Sequence, residues 1–323
     1  MPGETTVPAV HPAVHPAVHV VGRGVVAQRL VRMLHRRPVI VHDSRWAAVT
    51  GVTPGDIVVL AHGGPHAPAV VGLLDRDLHV VTVGDSLDDT VALLDLNLGG
   101  ANRSLVLGAA MSPGLSGLVA RQLASSFATV DEIHVAIHGT AGPTCARAHH
   151  RSLSGLSPTW RDGAWVDHVG GSGRELCWFP EPVGAKDSYR ARIASPLLLH
   201  RAFPEVERIS ARRSARRRDR FTAWLPMLRP PYPEGGVGAL RVELRGADPT
   251  GARLCLVAGV AELVGTAAAA VAAAFVTALA DGVIPPGLVL TGDATLPTLD
   301  LLRRVESFGV RLQEFTGVPQ PAA

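Results

Sequence analysis

A chain of 323 residues is long enough to bury two cores, and with 47% apolar and 18% charged residues it reads as globular, which excludes a disordered chain. A net charge of +3 is weak for a nucleic-acid binder of this size, so no nucleic-acid partner is expected. The three cysteines, Cys145, Cys177 and Cys255, are spaced too widely for a zinc ribbon or a disulfide framework, which favours a reduced compartment and no metal. No signal-peptide pattern opens the chain, so a cytoplasmic location is the expectation.

Residues 4–19 contain the repeat AVHPAVHPAVH, where proline at every fourth position forbids helix. It reads as a flexible tail over 1–16, although His11, His15 and His19 together have metal-binding chemistry. Strand and helix then alternate. Strands are expected at Ala17–Val21, Val39–His42, Asp56–Ala61, His79–Val83 and Ser104–Leu107, with helices at Val25–Arg37, Ala67–Leu74 and Thr90–Leu96. Continuous Val/Ile/Leu strands between helices imply a parallel sheet covered on both faces.

From about Met111 the pattern changes. An amphipathic helix, Leu115–Phe127, leads into half-buried strands at Glu132–His138, Trp165–His168, Glu175–Phe179, Arg208–Ala211, Leu240–Leu244 and Leu254–Ala258. These imply a second, α+β domain with a largely antiparallel sheet. Leu263–Ala280 is apolar enough to be checked as a membrane span, but it is mostly alanine and closely bracketed by Glu262 and Asp281. A buried Ala-rich helix is expected there, and no membrane partner. A helix over Leu296–Ser307 and a strand over Val310–Phe315 close the chain.

The first strand ends in Gly22-Arg23-Gly24-Val25-Val26-Ala27, a G-x-G-x-x-A turn. Gly22 permits the tight turn, Gly24 lets a pyrophosphate approach the backbone, and Ala27 keeps the helix close to the sheet. The helix N-terminus then offers N–H groups to phosphate. Asp43, at the end of the second strand, stands where an acidic residue binds the adenosine ribose. This context makes 17–112 a Rossmann-type dinucleotide-binding domain with NAD or NADP as its cofactor. Asp43 favours NAD, whereas Arg45 suits the extra phosphate of NADP. The turn Ala61-His62-Gly63-Gly64-Pro65 should place His62 and Gly63 beside the ribose and nicotinamide.

The segment Gly108-Ala109-Ala110-Met111-Ser112-Pro113-Gly114-Leu115 resembles the G-x-x-x-x-P-G-L link between the two domains of the saccharopine dehydrogenase (reductase-type) family. The block Gly173 to Gly184 is similar to a segment of bacterial members. Where many relatives carry an Ala-Gly-Pro turn, this chain has His62-Gly63-Gly64-Pro65. The resemblance implies a substrate and dimerisation domain over 113–250 and a 251–323 segment returning to pack on both domains. It also implies a homodimer, and hydride transfer at a C–N or C=N bond of an amino- or imino-acid substrate.

For the proton-handling group the sequence offers His138, at a strand end before Gly139-Thr140-Ala141-Gly142, and Lys186, the sole lysine. A strand-end histidine is more often a capped surface residue and a loop lysine more often a solvated charge, and His149 and His150 with His138 match no known metal spacing. Seven arginines between Arg208 and Arg220 suggest a helix from Ser210 with Arg212, Arg216 and Arg220 on one face, either solvated or recognising a carboxylate. Two other functions stay open: a non-catalytic cofactor-sensing or scaffold module, and an enoyl reductase or NAD-using synthase on the same fold.

Overall fold

The computed structural model describes residues 16–43, 49–96, 98, 102–227 and 230–314; Arg45, His11 and His15 lie outside them. The first half alternates as expected: β1 (Val18–Val21), α1 (Val25–Met33), β2 (Val39–His42), β3 (Ile57–Leu60), α2 (Ala67–Leu74), β4 (His79–Thr82), α3 (Leu87–Leu94) and β5 (Ser104–Leu107). A wide π-type turn, Met111–Leu115, carries the Pro-Gly-Leu motif into α4 (Ser116–Ala124). There follow β6 (Thr129–His138), α5 (Pro143–Ser152), β7 (Leu156–Arg161), β8 (Ala164–Val169), β9 (Glu175–Trp178), β10 (Ala185–Arg190), α6 (Ser195–Ala202), β11 (Arg208–Ser214) and the single turn α7 (Asp219–Thr222). The chain continues through β12 (Val237–Ala247), β13 (Arg253–Leu263), α8 (Val264–Ala280), β14 (Gly287–Leu290), α9 (Thr298–Ser307) and β15 (Gln313–Glu314).

Six strands form a wholly parallel sheet in the order β2-β1-β3-β4-β5-β14. Every residue of β1, β3 and β5 is buried, as a sheet covered on both faces requires. The second sheet runs β15-β13-β12-β6-β11-β10-β9, with β7 and β8 branching from β11. Its pairs are antiparallel except β6 with β11. The molecule is therefore an N-terminal Rossmann sheet joined to an α+β unit.

Helix α8 lies between the sheets, packed on α1, β3 and β4 on one side and on β12 and β13 on the other. Its apolar character runs all the way round, and Ala267 through Val276 are all buried, the signature of a helix enclosed on every side. Alanine is the residue for this position, because its short side chain lets neighbouring backbones close in. No helix among the described residues is long and apolar enough to cross a membrane.

Alternation on the second sheet sends Ile133, Val135 and Ile137 of β6 and Leu240, Val242 and Leu244 of β12 into the helix-covered core. Their neighbours Glu132, His134, Arg241 and Glu243 point to the opposite, open face.

Several elements differ from expectation. The arginine run is not a helix from Ser210: Arg208–Ser214 is a strand, and only Asp219–Thr222 is helical. Ile209, Ala211 and Arg213 are buried while Arg208 stays exposed, so period two wins over the i, i+4 spacing of the arginines. Helix α1 stops at Met33, five residues before Pro38, rather than at Arg37. The last strand shrinks to Gln313–Glu314 among the described residues. Strands β7, β10 and β14 and helices α5 and α6 had no expectation attached.

Candidate dinucleotide cleft

In the parallel sheet the chain steps from β1 outward to β2, then crosses back to β3 on the other side of β1. The crevice above the carboxyl ends of β1 and β3 is the topological switch point, where open α/β sheets take ligands. Gly22 sits there with φ +129°, and a Cβ on it would lie 2.5 Å from the Ala61 carbonyl oxygen, so only glycine suits. Gly24 is extended, φ −74° and ψ 177°, and immediately precedes α1. A Cβ on Gly24 would meet nothing within 4 Å, so the space above this turn is open. Ala27 is buried one turn into the helix.

Val25, the first helical residue, is the meeting point of two further helices. A Cβ on Gly142, just before α5, would lie 3.0 Å from Val25 Cγ2. A Cβ on Gly265, in the first turn of α8, would lie 2.8 Å from Val25 Cγ1. Thus α1, α5 and α8 bring their N-termini together at one turn, and none of the three has a side-chain cap. Each N-terminus carries roughly half a positive charge, so the place suits an anion. Sequence reasoning found the starts of α1 and α8; the Gly142-Pro143 step carries that of α5, but nothing local says that the three converge.

Asp43 follows β2 with its carboxylate two-thirds exposed and 3.9 Å from Arg23 Nε. Gly63 abuts Thr144 in the first turn of α5 so closely that a Cβ there would collide with the threonine methyl. Its neighbour His62 packs edge-on against His66, ring centroids 4.7 Å apart. His66 is held by three contacts. Its Nε2 donates to the His62 carbonyl at 3.0 Å, its backbone N–H donates to Asp89 at 2.8 Å, and its Nδ1 lies 3.4 Å from Asp89. Burial, and secondly the His66 ring, push the His62 imidazole down to about 4, so it is neutral at pH 7. His62 Nε2 is buried without a hydrogen-bond partner among the described residues. The His-x-x-x-His spacing of 62 and 66 was the available signal for this pair, but Asp89 comes from another element.

The second sheet is clamped to the end of β4. Buried Arg213 pairs with Asp85, Arg192 forks onto both Asp88 oxygens at 2.5 and 2.6 Å, and Ala194 N–H donates to the Asp85 carbonyl at 3.2 Å. Burial brings the Arg213 guanidinium down to about 10, still charged at neutral pH.

His138 and Lys186 are brought together elsewhere. His138 Nδ1 is 2.6 Å from Ser214 Oγ, and its ring is 6.0 Å from that of Phe179. Burial first, then the charge of Lys186, push His138 down to about 4. Arg213, adjacent to Ser214 in β11, points through to Asp85, so alternation puts His138 and Ser214 on the other face, at the end that Phe179 covers. His149 Nε2 donates to the Ser214 carbonyl at 3.0 Å and His150 Nε2 to the Thr222 carbonyl at 2.9 Å. Among the described residues no group of three or more His, Cys, Asp or Glu is placed to hold a metal.

No protein-family model matches the chain, and no curated protein sequence does. Among solved structures, apo saccharopine dehydrogenase (L-Glu forming) from Saccharomyces cerevisiae matches with TM-score 0.63 at 13% identity, over 93% of this chain and 100% of that one. The two chains share a fold. Weaker likenesses include a probable dehydrogenase from Thermotoga maritima, with TM-score 0.42 and 10% identity over 89% of this chain and 94% of that one. Another is apo scyllo-inositol dehydrogenase from Lactobacillus casei, with TM-score 0.40 and 10% identity over 92% and 95%.

Proposed function

We propose that this protein is an NAD(P)-dependent oxidoreductase that transfers hydride at a C–N or C=N bond of an amino-acid-like substrate. The carrying observation is the cradle at the switch point: Gly22 pressed on Ala61, open space over Gly24, and three uncapped helix N-termini around Val25. These residues fit a dinucleotide pyrophosphate. The substrate class rests on the saccharopine-dehydrogenase resemblance and the shared fold, an argument by analogy.

In this reading the N–H groups opening α1 hold the pyrophosphate and Asp43 takes the adenosine ribose hydroxyls, which favours NAD. His62 offers its unpartnered Nε2 to the nicotinamide half. A bound nicotinamide would supply or accept the hydride. His62 and His138 both titrate near 4 and carry no proton to spare at neutral pH. In this reading the protein's work is placement of the substrate and exclusion of water.

The test is loss of reduced-nicotinamide absorbance when the protein is mixed with 2-oxo acids, primary amines or ammonia, and NADH or NADPH. Turnover with one imine donor is expected, and His62→Ala should raise the cofactor KM about three- to tenfold for one lost hydrogen bond. Cofactor binding without turnover on any imine donor would leave a cofactor-sensing module instead.

A further inference from the structure

Apart from Arg213, which pairs with Asp85, the strand arginines lie away from the cleft, yet they are not merely solvated. The open face of the second sheet forms a groove of about 410 Å³ lined by six arginines and three glutamates. Strand register arranges the side chains of this face in rows across β12, β6, β11 and β10. One row reads Arg245, Glu132, Arg208; the next Glu243, His134, Ser210; the third Arg241, Ala136, Arg212, Arg190.

The first and third rows have the same plan with one difference. In the first, the Glu132 carboxylate stands between two arginines, 3.1 Å from Arg208 Nη1 and 3.6 Å from Arg245 Nη1. In the third, the corresponding position is Ala136, which is buried beside Cys177 and Phe179 at the floor of the groove and brings no carboxylate between Arg241 and Arg212. Two strand spacings separate those arginines by roughly 10 Å at the backbone, within which two guanidinium forks can close on one anion.

Two of the three arginines around this gap are under-compensated. Arg241 shares its carboxylate, Glu243, with Arg245, and Arg241 Nε is buried without a partner among the described residues. Arg212 is matched by Glu175 at 2.8 Å. Arg190 has no carboxylate within ion-pair distance among the described residues, and burial followed by the charge of Arg212 lowers its guanidinium from the ordinary value. His168 of β8 and Trp160 of β7 wall the groove.

We propose that this groove is a binding site for a small multivalent anion, with a carboxylate or phosphate group held in the groove between Arg241, Arg212 and Arg190. Arginine forks match both oxyanions in planar, bidentate fashion. The volume suits a molecule the size of a tricarboxylate or a sugar phosphate. The site faces away from the Asp85 loop and so is separate from the dinucleotide cleft, whose assignment it does not need.

Calorimetric titration of the full chain with citrate and with inorganic pyrophosphate tests this, on wild type and on Arg190→Gln, Ala136→Asp and Gly24→Arg. The first variant removes the unmatched fork; the second places in row three the carboxylate that row one already has. Saturable binding with Kd below about 1 mM is expected for at least one probe, weakened at least about tenfold in Arg190→Gln and Ala136→Asp and kept in Gly24→Arg. Stronger citrate than pyrophosphate binding would mark the ligand as a carboxylate, and the reverse order as a phosphate. Binding lost only in Gly24→Arg would place the anion in the dinucleotide cradle and overturn the proposal. So would no binding of either probe, or a dimer that covers this face and takes up neither.

Discussion

Gly22 and Gly24 are two residues apart and answer to different demands. Gly22 is fixed by backbone, since a methyl there meets the Ala61 carbonyl oxygen at 2.5 Å and φ is +129°. Gly22→Ala should therefore cost about 1–3 kcal/mol in denaturant unfolding, the usual size of such strain. Gly24 has an ordinary φ of −74° and open space beyond, so Gly24→Ala should change stability by less than about 0.5 kcal/mol. A second residue-scale expectation concerns acid. His62 and His138 titrate near 4 when folded, against about 6.5 for an ordinary histidine. As pH falls, the unfolded chain takes up these protons first, so stability is complete above pH 6.5 and is lost progressively down to about pH 4. Melting temperature followed over that window should fall, and His138→Gln should flatten part of the slope. The fingerprint glycines were legible in the sequence because their roles are local. The His62–His66–Asp89 contacts and the gap at Ala136 were not, because one needs a partner from another helix and the other needs strand register.

At the scale of elements, short Val/Ile/Leu strands bounded by glycine announced themselves, and β2, β5 and α2 fall where expected. The arginine run misled because i, i+4 spacing is also i, i+2 twice over. Only the burial of Ile209, Ala211 and Arg213 decides for a strand. Strand β14 is four residues drawn from the far end of the chain, and its pairing with β5 leaves no trace in local pattern. Helix α8 was read correctly as buried, but not as the element between the two sheets. Its one large side chain, Phe275, is fully buried among alanines, so Phe275→Ala should cost about 3–5 kcal/mol in unfolding free energy. A loss below about 1 kcal/mol would mean that α8 is not enclosed as described.

Over the whole molecule, the Rossmann sheet and the second sheet meet at ion pairs of different worth. Arg213 and Asp85 are 5% and 25% exposed, whereas Arg192 and Asp88 are 39% and 71% exposed. Arg213→Met should leave Asp85 uncompensated and cost about 3 kcal/mol, while Arg192→Met should cost less than about 1 kcal/mol. Equal losses would contradict the clamp. The two-sheet division was legible from the change of pattern near Met111, but this clamp was not, since Asp85 and Arg213 are far apart in sequence. The account rests most heavily on the switch-point cradle, which is tested directly by fluorescence titration with NADH and NADPH on wild type and on Gly24→Arg, whose side chain fills the space above the turn. Saturable binding of one cofactor to wild type, weakened at least about a hundredfold in the variant, is the predicted result, with NADH the tighter if Asp43 sets the preference. Absence of binding of either cofactor to folded wild type, or equal binding by Gly24→Arg, would contradict the dinucleotide site and the oxidoreductase reading with it.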